Sequence, residues 1–335
     1  MKTLYLYGAK DLRFDEGPMP IPGNGEALVQ VTAVGLCGSD LHWYSEGEIG
    51  DARLNGRIIL GHEFAGVVRS GKLDGQRVAV DPAIPCGHCE FCRAGLEHIC
   101  PDVRFPGNVD FGALTEYVAW PETNLIPLPA ELSDADGALL EPFGVALHAR
   151  DLCEVRPGMT AGVYGCGPIG LLLVQLLHLS GASRIFATDR LPHRLAMARN
   201  FGASDVFLAN GSEKQAILSA THRRGVDVTF EVAGDLDAVA VATGTCKPGG
   251  TVVLIGIAKN DVTAFPATEA RHKELTIHLA HRMNQTYPRS IDLVASGRID
   301  LKPLVSHRYT FDQAPQAFEL AERREGFKVV IDVNK

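Results

Sequence analysis

The sequence lacks three features that would place the protein at a membrane or on nucleic acid. Its most apolar run, residues 169–179, contains Gln175 and His178 and is shorter than the roughly 20 residues that a membrane helix needs. The N-terminal residues carry charges where a signal peptide would have an apolar core. The chain also has no excess of positive charge. Its 32 Lys and Arg are outnumbered by 40 Asp and Glu, which gives a formal charge of −8. We therefore expect a cytoplasmic protein with neither nucleic acid nor membrane as a partner.

The length and composition fit two globular domains. At 335 residues the chain is too long for one ordinary hydrophobic core, and 46% hydrophobic residues are enough to fill two. Up to about residue 118, short β-like runs alternate with Gly, Pro and Asp, at residues 27–34, 63–68, 77–80 and 114–119. This pattern predicts a β-rich first domain.

From about residue 158, apolar strands alternate with helical patterns, which is typical of a parallel sheet wrapped by helices. The six candidate strands are residues 160–165, 184–189, 205–208, 227–231, 251–256 and 275–280, and the clearest helices are 168–179 and 191–201. Six such strands make a complete dinucleotide-binding sheet. The tail holds a helical stretch at 289–295 and a β-like run at 327–333, and it is too short to fold alone. We expect it to complete the first domain.

A glycine motif stands where the first of these strands ends. Residues Gly165-Cys166-Gly167-Pro168-Ile169-Gly170 read G-x-G-x-x-G, and the helix that follows offers free N–H groups to a pyrophosphate. Nineteen residues after Gly170, Asp189 closes the second strand, where a carboxylate accepts from ribose hydroxyls and repels a 2′-phosphate. This favours NAD over NADP. Arg190 and Arg194 could each meet a phosphate, so NADP stays open, as does a purely structural glycine turn.

Four of the eight cysteines are clustered. Cys86, Cys89, Cys92 and Cys100 lie within fifteen residues, and four thiolates can close a tetrahedral zinc site without an open position for substrate. The spacing indicates a structural metal, against the alternative of four unligated core cysteines. Other candidate ligands are dispersed: Cys37 within residues 35–40, the pair His62 and Glu63, and Glu141. Singly these are weak signals, because a lone Cys is most often a small buried hydrophobe.

The chain resembles the zinc-containing medium-chain dehydrogenases in its motifs and in their order. These motifs are the segments Gly-Cys-Gly-Ser-Asp and Gly-His-Glu, then the four cysteines, then the glycine motif. The likeness covers nearly the whole chain and is nearest to sorbitol (polyol) dehydrogenases of bacterial type, with threonine dehydrogenases as competitors. It is carried by Ile169, Thr188-Asp189, residues 281–284 and residues 302–308. The resemblance implies a GroES-like β-rich catalytic domain, residues 1–143 and 283–335, with a zinc lobe at about 85–101. It also implies a Rossmann domain, residues 144–282, with a doubly wound parallel sheet.

The resemblance further assigns site residues. It implies Cys37, His62 and Glu63 as catalytic zinc ligands, with Glu141 binding the metal or a metal-bound water, and Ser39 and His42 as a proton relay. Trp43 and Phe105 fall at the substrate wall, and Arg282 matches an arginine that touches substrate and cofactor. Around NAD it implies Gly165, Gly167, Pro168, Ile169, Gly170, Asp189, Arg190, Arg194, Ile255, Gly256, Ile257, His281 and Arg282.

We therefore expect a dehydrogenase that holds two zinc ions per subunit and oxidises a secondary alcohol of a small polyol to a ketone with NAD. Two departures leave sorbitol itself open: Met283 stands where relatives often have an aromatic residue, and Trp43 where many have Tyr. The alternatives are a threonine 3-dehydrogenase, a cyclic or amino-sugar alcohol dehydrogenase, and a silent nucleotide-binding protein. By analogy we expect a homodimer or homotetramer, with the apolar run 251–257 as a candidate for a sheet that continues across subunits.

Overall fold

A computed structural model describes residues 1–106, 111–258 and 262–334, and these residues form two units. Unit 1 comprises Met1–Pro142 and the described residues from Tyr287 onward, and unit 2 is Phe143–Thr286. The return to unit 1 therefore comes at residue 287, where the sequence suggested 283. Among the described residues, no helix is both long and apolar enough to cross a membrane.

Unit 1 is built around strand β3 (Glu26–Gly35), which pairs antiparallel with β7 (Glu63–Val68), β9 (Tyr117–Pro121) and β18 (Lys328–Asp332). Alternate residues of β3 are buried, as expected of a strand with one face on a core, and Val29 and Val31 pack with Phe64 and Trp120. The strands of this unit are β1 Lys2–Gly8, β2 Asp11–Glu16, β3 Glu26–Gly35, β4 Glu48–Ile49, β5 Ala52–Arg53, β6 Ile58–Ile59, β7 Glu63–Val68, β8 Arg77–Val80, β9 Tyr117–Pro121, β10 Leu125–Pro127, β17 Val305–Thr310 and β18 Lys328–Asp332.

Helices fill the connections of unit 1. They are α1 Gly38–Glu46, α2 Glu90–Arg93, α9 Tyr287–Ala295 and α10 Ala314–Glu322, with short 3₁₀ turns at Glu97–Ile99, Glu122–Asn124, Lys302–Leu304 and Phe311–Gln313. Helix α3, Asp134–Asp151, begins in unit 1 and continues into unit 2. In the C-terminal tail, β17 pairs parallel with β18, and β18 pairs with β3. The tail is therefore part of the unit 1 sheet.

The strand predicted at 114–119 is displaced to Tyr117–Pro121. The reason is a competing set of backbone hydrogen bonds: the N–H of Ala113 donates to Gly61 at 2.8 Å and that of Leu114 to Leu60 at 3.0 Å. These bonds hold residues 113 and 114 against the segment that precedes β7, so regular pairing with β3 starts later.

Unit 2 contains a sheet of six parallel strands within its described residues, in the order β13-β12-β11-β14-β15-β16. Counted along the chain this is 3-2-1-4-5-6, the doubly wound dinucleotide-binding order, and it confirms the predicted fold class. The strands are β11 Thr160–Tyr164, β12 Arg184–Asp189, β13 Asp205–Leu208, β14 Val226–Glu231, β15 Cys246–Leu254 and β16 Thr276–Leu279. The helices are α4 Pro168–Leu179, α5 Pro192–Asn200, α6 Glu213–Ala220, α7 Leu236–Thr245 and α8 Ala267–His272.

The expectation that the apolar run 251–257 belongs to a sheet continued across subunits stays a prediction. The run lies largely in β15, which is placed between β14 and β16 and pairs with both. Its apolar character reflects burial inside a parallel sheet. The strand at that end of the sheet is β16.

Candidate functional site

The four clustered cysteines converge in the structure. Cys89 caps the N-terminus of α2, and the N–H of Cys92 donates to the Cys89 sulfur at 3.4 Å. The N–H of Cys86 donates to the Cys100 sulfur at 3.4 Å, which brings the two ends of the lobe together. The ligand atoms of all four residues lie within 4.8 Å of one another.

The arrangement fits a tetrahedral metal. Zinc bound to thiolates at about 2.3 Å holds its sulfurs about 3.8 Å apart. The Cys86–Cys92 sulfur distance is 3.9 Å and the Cys89–Cys92 distance is 3.4 Å, on either side of that value. The N–H groups of His88 and Cys89 lower the pKa of Cys86 to about 6, while burial and Cys89 raise the pKa of Cys92 to about 12. The first shift favours a thiolate, and a metal would have to displace the proton of the second thiol. With all four donors inside the lobe, such a metal would have a structural role.

A second group of possible ligands forms at the start of α1 and β7. Cys37, His62 and Glu63 come from two separate segments, and their ligand atoms also lie within 4.8 Å of one another. A thiolate, an imidazole and a carboxylate are donors that zinc accepts. The structure therefore brings together three of the four dispersed residues that the sequence named.

Asp40 places a buried carboxylate beside this group, which favours a cation there. Its carboxylate accepts from the N–H of Cys37 at 3.0 Å and of Gly61 at 3.1 Å, and it lies 3.5 Å from Nδ1 of His62. Burial would raise the pKa of Asp40, but His62 and these two N–H groups lower it below the usual value. Burial would likewise lower the pKa of His62, but Asp40 and Cys37 raise it well above the usual value. Because Asp40 and Cys37 favour a positive charge on His62, they also favour a metal cation at the same position.

Glu63 is held by Lys328, a residue of the C-terminal strand β18. The Lys328 Nζ lies 2.7 Å from both carboxylate oxygens of Glu63 and donates to the carbonyl of Leu36 at 2.9 Å. Both side chains are buried. Burial would lower the pKa of Lys328, but Glu63 and Cys37 raise it above the usual value, which favours the charged ammonium.

Glu141 lies on α3 and is buried, but it is not among the three residues grouped within 4.8 Å. Burial raises the pKa of Glu141 to about 7. The positive charges of His62 and Lys328 oppose this rise. The negative charges of Glu63 and Asp81 add to it. These interactions place the carboxyl in the same electrostatic environment as the metal candidates. Glu141 is therefore near the group without belonging to it.

The predicted relay and substrate residues have different surroundings. Ser39 and His42 are three residues apart on α1, so they share one helix face, and the His42 side chain is 31% exposed. Nδ1 of His42 lies 3.5 Å from Glu46. Trp43 is buried in the core of unit 1, and the ring of Phe105 packs against that of His62 at 5.2 Å.

In unit 2 the glycine motif spans the turn between β11 and α4. A Cβ at Gly170 would lie 1.9 Å from the carbonyl oxygen of Gly165, and Gly165 itself has φ +106°, so the backbone excludes side chains at both positions. Gly167 differs, because among the described residues a Cβ there would meet only Nη1 of Arg194, at 3.8 Å. Open space above Gly167 is what close approach of a pyrophosphate requires, so the turn fits a dinucleotide.

Asp189 joins this turn to the second strand. One carboxylate oxygen accepts from the N–H of Cys166 at 2.7 Å and the other from the N–H of Leu191 at 2.8 Å. Arg190, the next residue, pairs with Asp235 at 2.8 Å. The carboxyl edge of the sheet also carries Ile255, Gly256 and Ile257 after β15, and His281 and Arg282 after β16. The predicted cofactor residues thus follow strands of one sheet at one edge.

Sequence reasoning missed three charged residues that the structure places at these sites: Asp40, Lys328 and Asp235. Lys328 had a usable signal, because a lysine opens a strand that continues with Val329, Val330 and Ile331, and a buried charge needs a partner. Asp40 stood within the quoted Gly-Cys-Gly-Ser-Asp segment. Asp235 follows β14 and caps α7, and its partner could not be read from the chain.

Comparison with known proteins agrees with this geometry. The family profile described as "Alcohol dehydrogenase GroES-like domain" matches residues 23–130, and that described as "Zinc-binding dehydrogenase" matches residues 168–296. The chain is 34% identical to the sorbitol dehydrogenase of Bacillus subtilis (strain 168), over 100% of this chain and 98% of that protein.

Two solved structures resemble the chain over almost their whole length. The L-idonate 5-dehydrogenase of Escherichia coli superposes with a TM-score of 0.91 at 29% identity, covering 99% of this chain and 98% of that one. A zinc-binding dehydrogenase structure from Sinorhizobium meliloti 1021, bound to NADP, has a TM-score of 0.90 at 30% identity and covers 99% of both chains.

The four-cysteine lobe yields a first prediction. Cys89→Ser should lower the zinc content by about one ion per subunit and lower the melting temperature, because a structural site loses its metal when a thiolate is replaced. Zinc is measured by plasma mass spectrometry and unfolding by calorimetry. The matched control is Cys153→Ser, a buried cysteine outside the lobe, which should leave zinc unchanged. Equal zinc in wild type and Cys89→Ser would contradict a metal in the lobe.

Proposed function

The chain belongs to the zinc-containing medium-chain alcohol dehydrogenase family, and we propose that it oxidises a secondary alcohol of a small polyol to a ketone, with NAD as hydride acceptor. The observation that carries the proposal is the convergence of Cys37, His62 and Glu63 from separate segments. The name of the Bacillus subtilis relative supports a polyol as substrate. Unit 1 would serve as the catalytic domain and unit 2 as the NAD-binding domain.

The residues divide into metal holders and proton carriers. Cys37 and His62 would hold a catalytic zinc, and Glu63 and Glu141 are the two carboxylates available to complete the set. When bound, zinc supplies Lewis-acid chemistry toward the alcohol oxygen and the nicotinamide supplies a hydride acceptor. Asp40 fixes the ring of His62 through Nδ1, and Lys328 orients the carboxylate of Glu63.

For the proton, we propose a path along one face of α1. The hydroxyl proton of the substrate passes to Oγ of Ser39 and then to the imidazole of His42, whose partial exposure allows release to water. Asp189 would accept from the adenosine ribose hydroxyls, which favours NAD. Clustered thiols that serve as metal ligands suit a reducing compartment such as the cytoplasm, where we propose that the enzyme works.

The proposal is tested by following NAD reduction over a panel of polyols, cyclic alcohols, amino-sugar alcohols and threonine. We expect activity on a polyol that falls to background after treatment with a zinc chelator and in Cys37→Ser, because both remove the Lewis acid. Cys153→Ser serves as the matched thiol control. Activity confined to threonine or an amino-sugar alcohol would keep the chemistry and replace the substrate, while inactivity on the whole panel would reject the proposal.

The relay makes a separate prediction. Ser39→Ala should lower kcat by about 10²-fold, the ordinary size of a general acid–base contribution, without changing zinc content. Steady-state kinetics and metal analysis measure the two quantities on the same sample. Ser39→Thr, which keeps the hydroxyl, should recover much of the rate. A loss of zinc in Ser39→Ala would show a structural role instead.

We also propose a homodimer, formed through β16. Among the described residues this strand has a partner, β15, on one side only, and Leu279 at its end is 75% exposed. An edge strand with an apolar side chain is a place where a second copy can add its own edge strand about a two-fold axis.

The dimer is tested by light scattering after size-exclusion chromatography. Leu279→Lys should halve the mass, because the two-fold axis would place the new charges close together. The control is Ile21→Lys in unit 1, where an isoleucine that is 91% exposed lies far along the chain from β16. A mass that Leu279→Lys leaves unchanged would place the interface elsewhere.

A further inference from the structure

An ion pair joins the two loops that flank the glycine turn of unit 2. Nη2 of Arg190 donates to one carboxylate oxygen of Asp235 at 2.8 Å, although the two residues are 45 positions apart. Arg190 follows β12 and Asp235 follows β14, the strands on either side of β11. Since β11 carries the glycine turn at its own carboxyl end, the pair bridges the edge where a dinucleotide would lie.

Arg190 lies where an arginine would weaken the selection of NAD over NADP. It directly follows Asp189, which the Cys166 N–H anchors beside the glycine turn. A guanidinium pairs with phosphate through two parallel hydrogen bonds, so an arginine next to the ribose-binding carboxylate would favour the 2′-phosphate of NADP. The fold does not prevent this, because a structural relative at 30% identity is bound to NADP.

Asp235 is placed to remove that attraction. Its other carboxylate oxygen accepts from the N–H of Asp237 at 2.9 Å and so caps α7. The cap fixes the side chain, and the remaining oxygen faces the guanidinium. The side chains of Arg190 and Asp235 are 63% and 35% exposed, so the pair is accessible and a ligand could compete for the arginine.

We propose that Asp235 is a specificity-determining residue, which binds Arg190 and keeps it from the 2′-phosphate of NADP. Discrimination then has two parts. Asp189 repels the phosphate, and Asp235 occupies the arginine that would attract it. The inference rests on the proposed dinucleotide site, and it adds a residue outside the glycine motif and outside the ribose-binding carboxylate.

The test is a double-mutant cycle read by direct titration of the purified protein with NADH and NADPH in a calorimeter, with no alcohol present. Asp235→Asn keeps an oxygen for the cap of α7 and removes the charge that holds Arg190. We expect the ratio of dissociation constants, NADPH over NADH, to fall about three- to tenfold, since an exposed ion pair is weak and a guanidinium–phosphate contact is stronger. Asp235→Ser, which also caps, repeats the test should the first variant fold poorly.

Arg190 must be the cause of the change. Arg190→Gln alone should leave the ratio within about twofold, because the arginine is already occupied, and Arg190→Gln with Asp235→Asn should cancel the gain. An unchanged ratio in Asp235→Asn, or a gain that persists without Arg190, would overturn the inference. So would a wild type that binds neither cofactor. A wild type that binds NADH but oxidises no alcohol would reject the proposed function and leave this inference standing.

Discussion

The candidate metal site of unit 1 depends on the buried ion pair between Lys328 and Glu63. Two buried charges are costly unless they are paired and hydrogen-bonded, and here the three donor protons of Lys328 meet both carboxylate oxygens and the Leu36 carbonyl. The pair ties β18 to β7 and to the segment that leads into Cys37. Lys328 thereby holds the candidate ligands Cys37, His62 and Glu63 in place, and removing it would leave a buried carboxylate uncompensated.

In unit 2 the candidate cofactor site is formed by segments that are distant along the chain. Parallel strands place their carboxyl ends at one edge, so the turns after β11, β12, β14, β15 and β16 all lie there. The order of the strands then decides which turns are neighbours. Because β12 and β14 flank β11, the residues that follow them, Arg190 and Asp235, can meet beside the glycine turn. Charge at the edge can thus be adjusted without altering the turn itself.

Prediction from the sequence succeeded where the relevant interactions are local. Strands β12 and β13 and helix α4 have the predicted bounds, and the four cysteines that were expected to converge lie within fifteen residues and do converge. Prediction failed where a distant segment competes for the backbone. β9 starts late because residues 113 and 114 pair with residues before β7, and β15 starts at Cys246 because it pairs with Val226. The edge position of β16 was not predicted either, since it follows from the order of the strands in the sheet.

By itself the sequence determined the two-unit organisation, the glycine turn, the clustering of four cysteines and, through motif order, the family. Each of these depends on spacing within a short segment or on a pattern that repeats along the chain. Only the tertiary structure decided that Cys37 and His62 share Asp40 as a neighbour. It also decided that Lys328 forms an ion pair with Glu63 and that Asp235 binds Arg190. These are contacts between charged groups separated by up to 265 residues, and the folded sheets alone bring them within hydrogen-bonding distance.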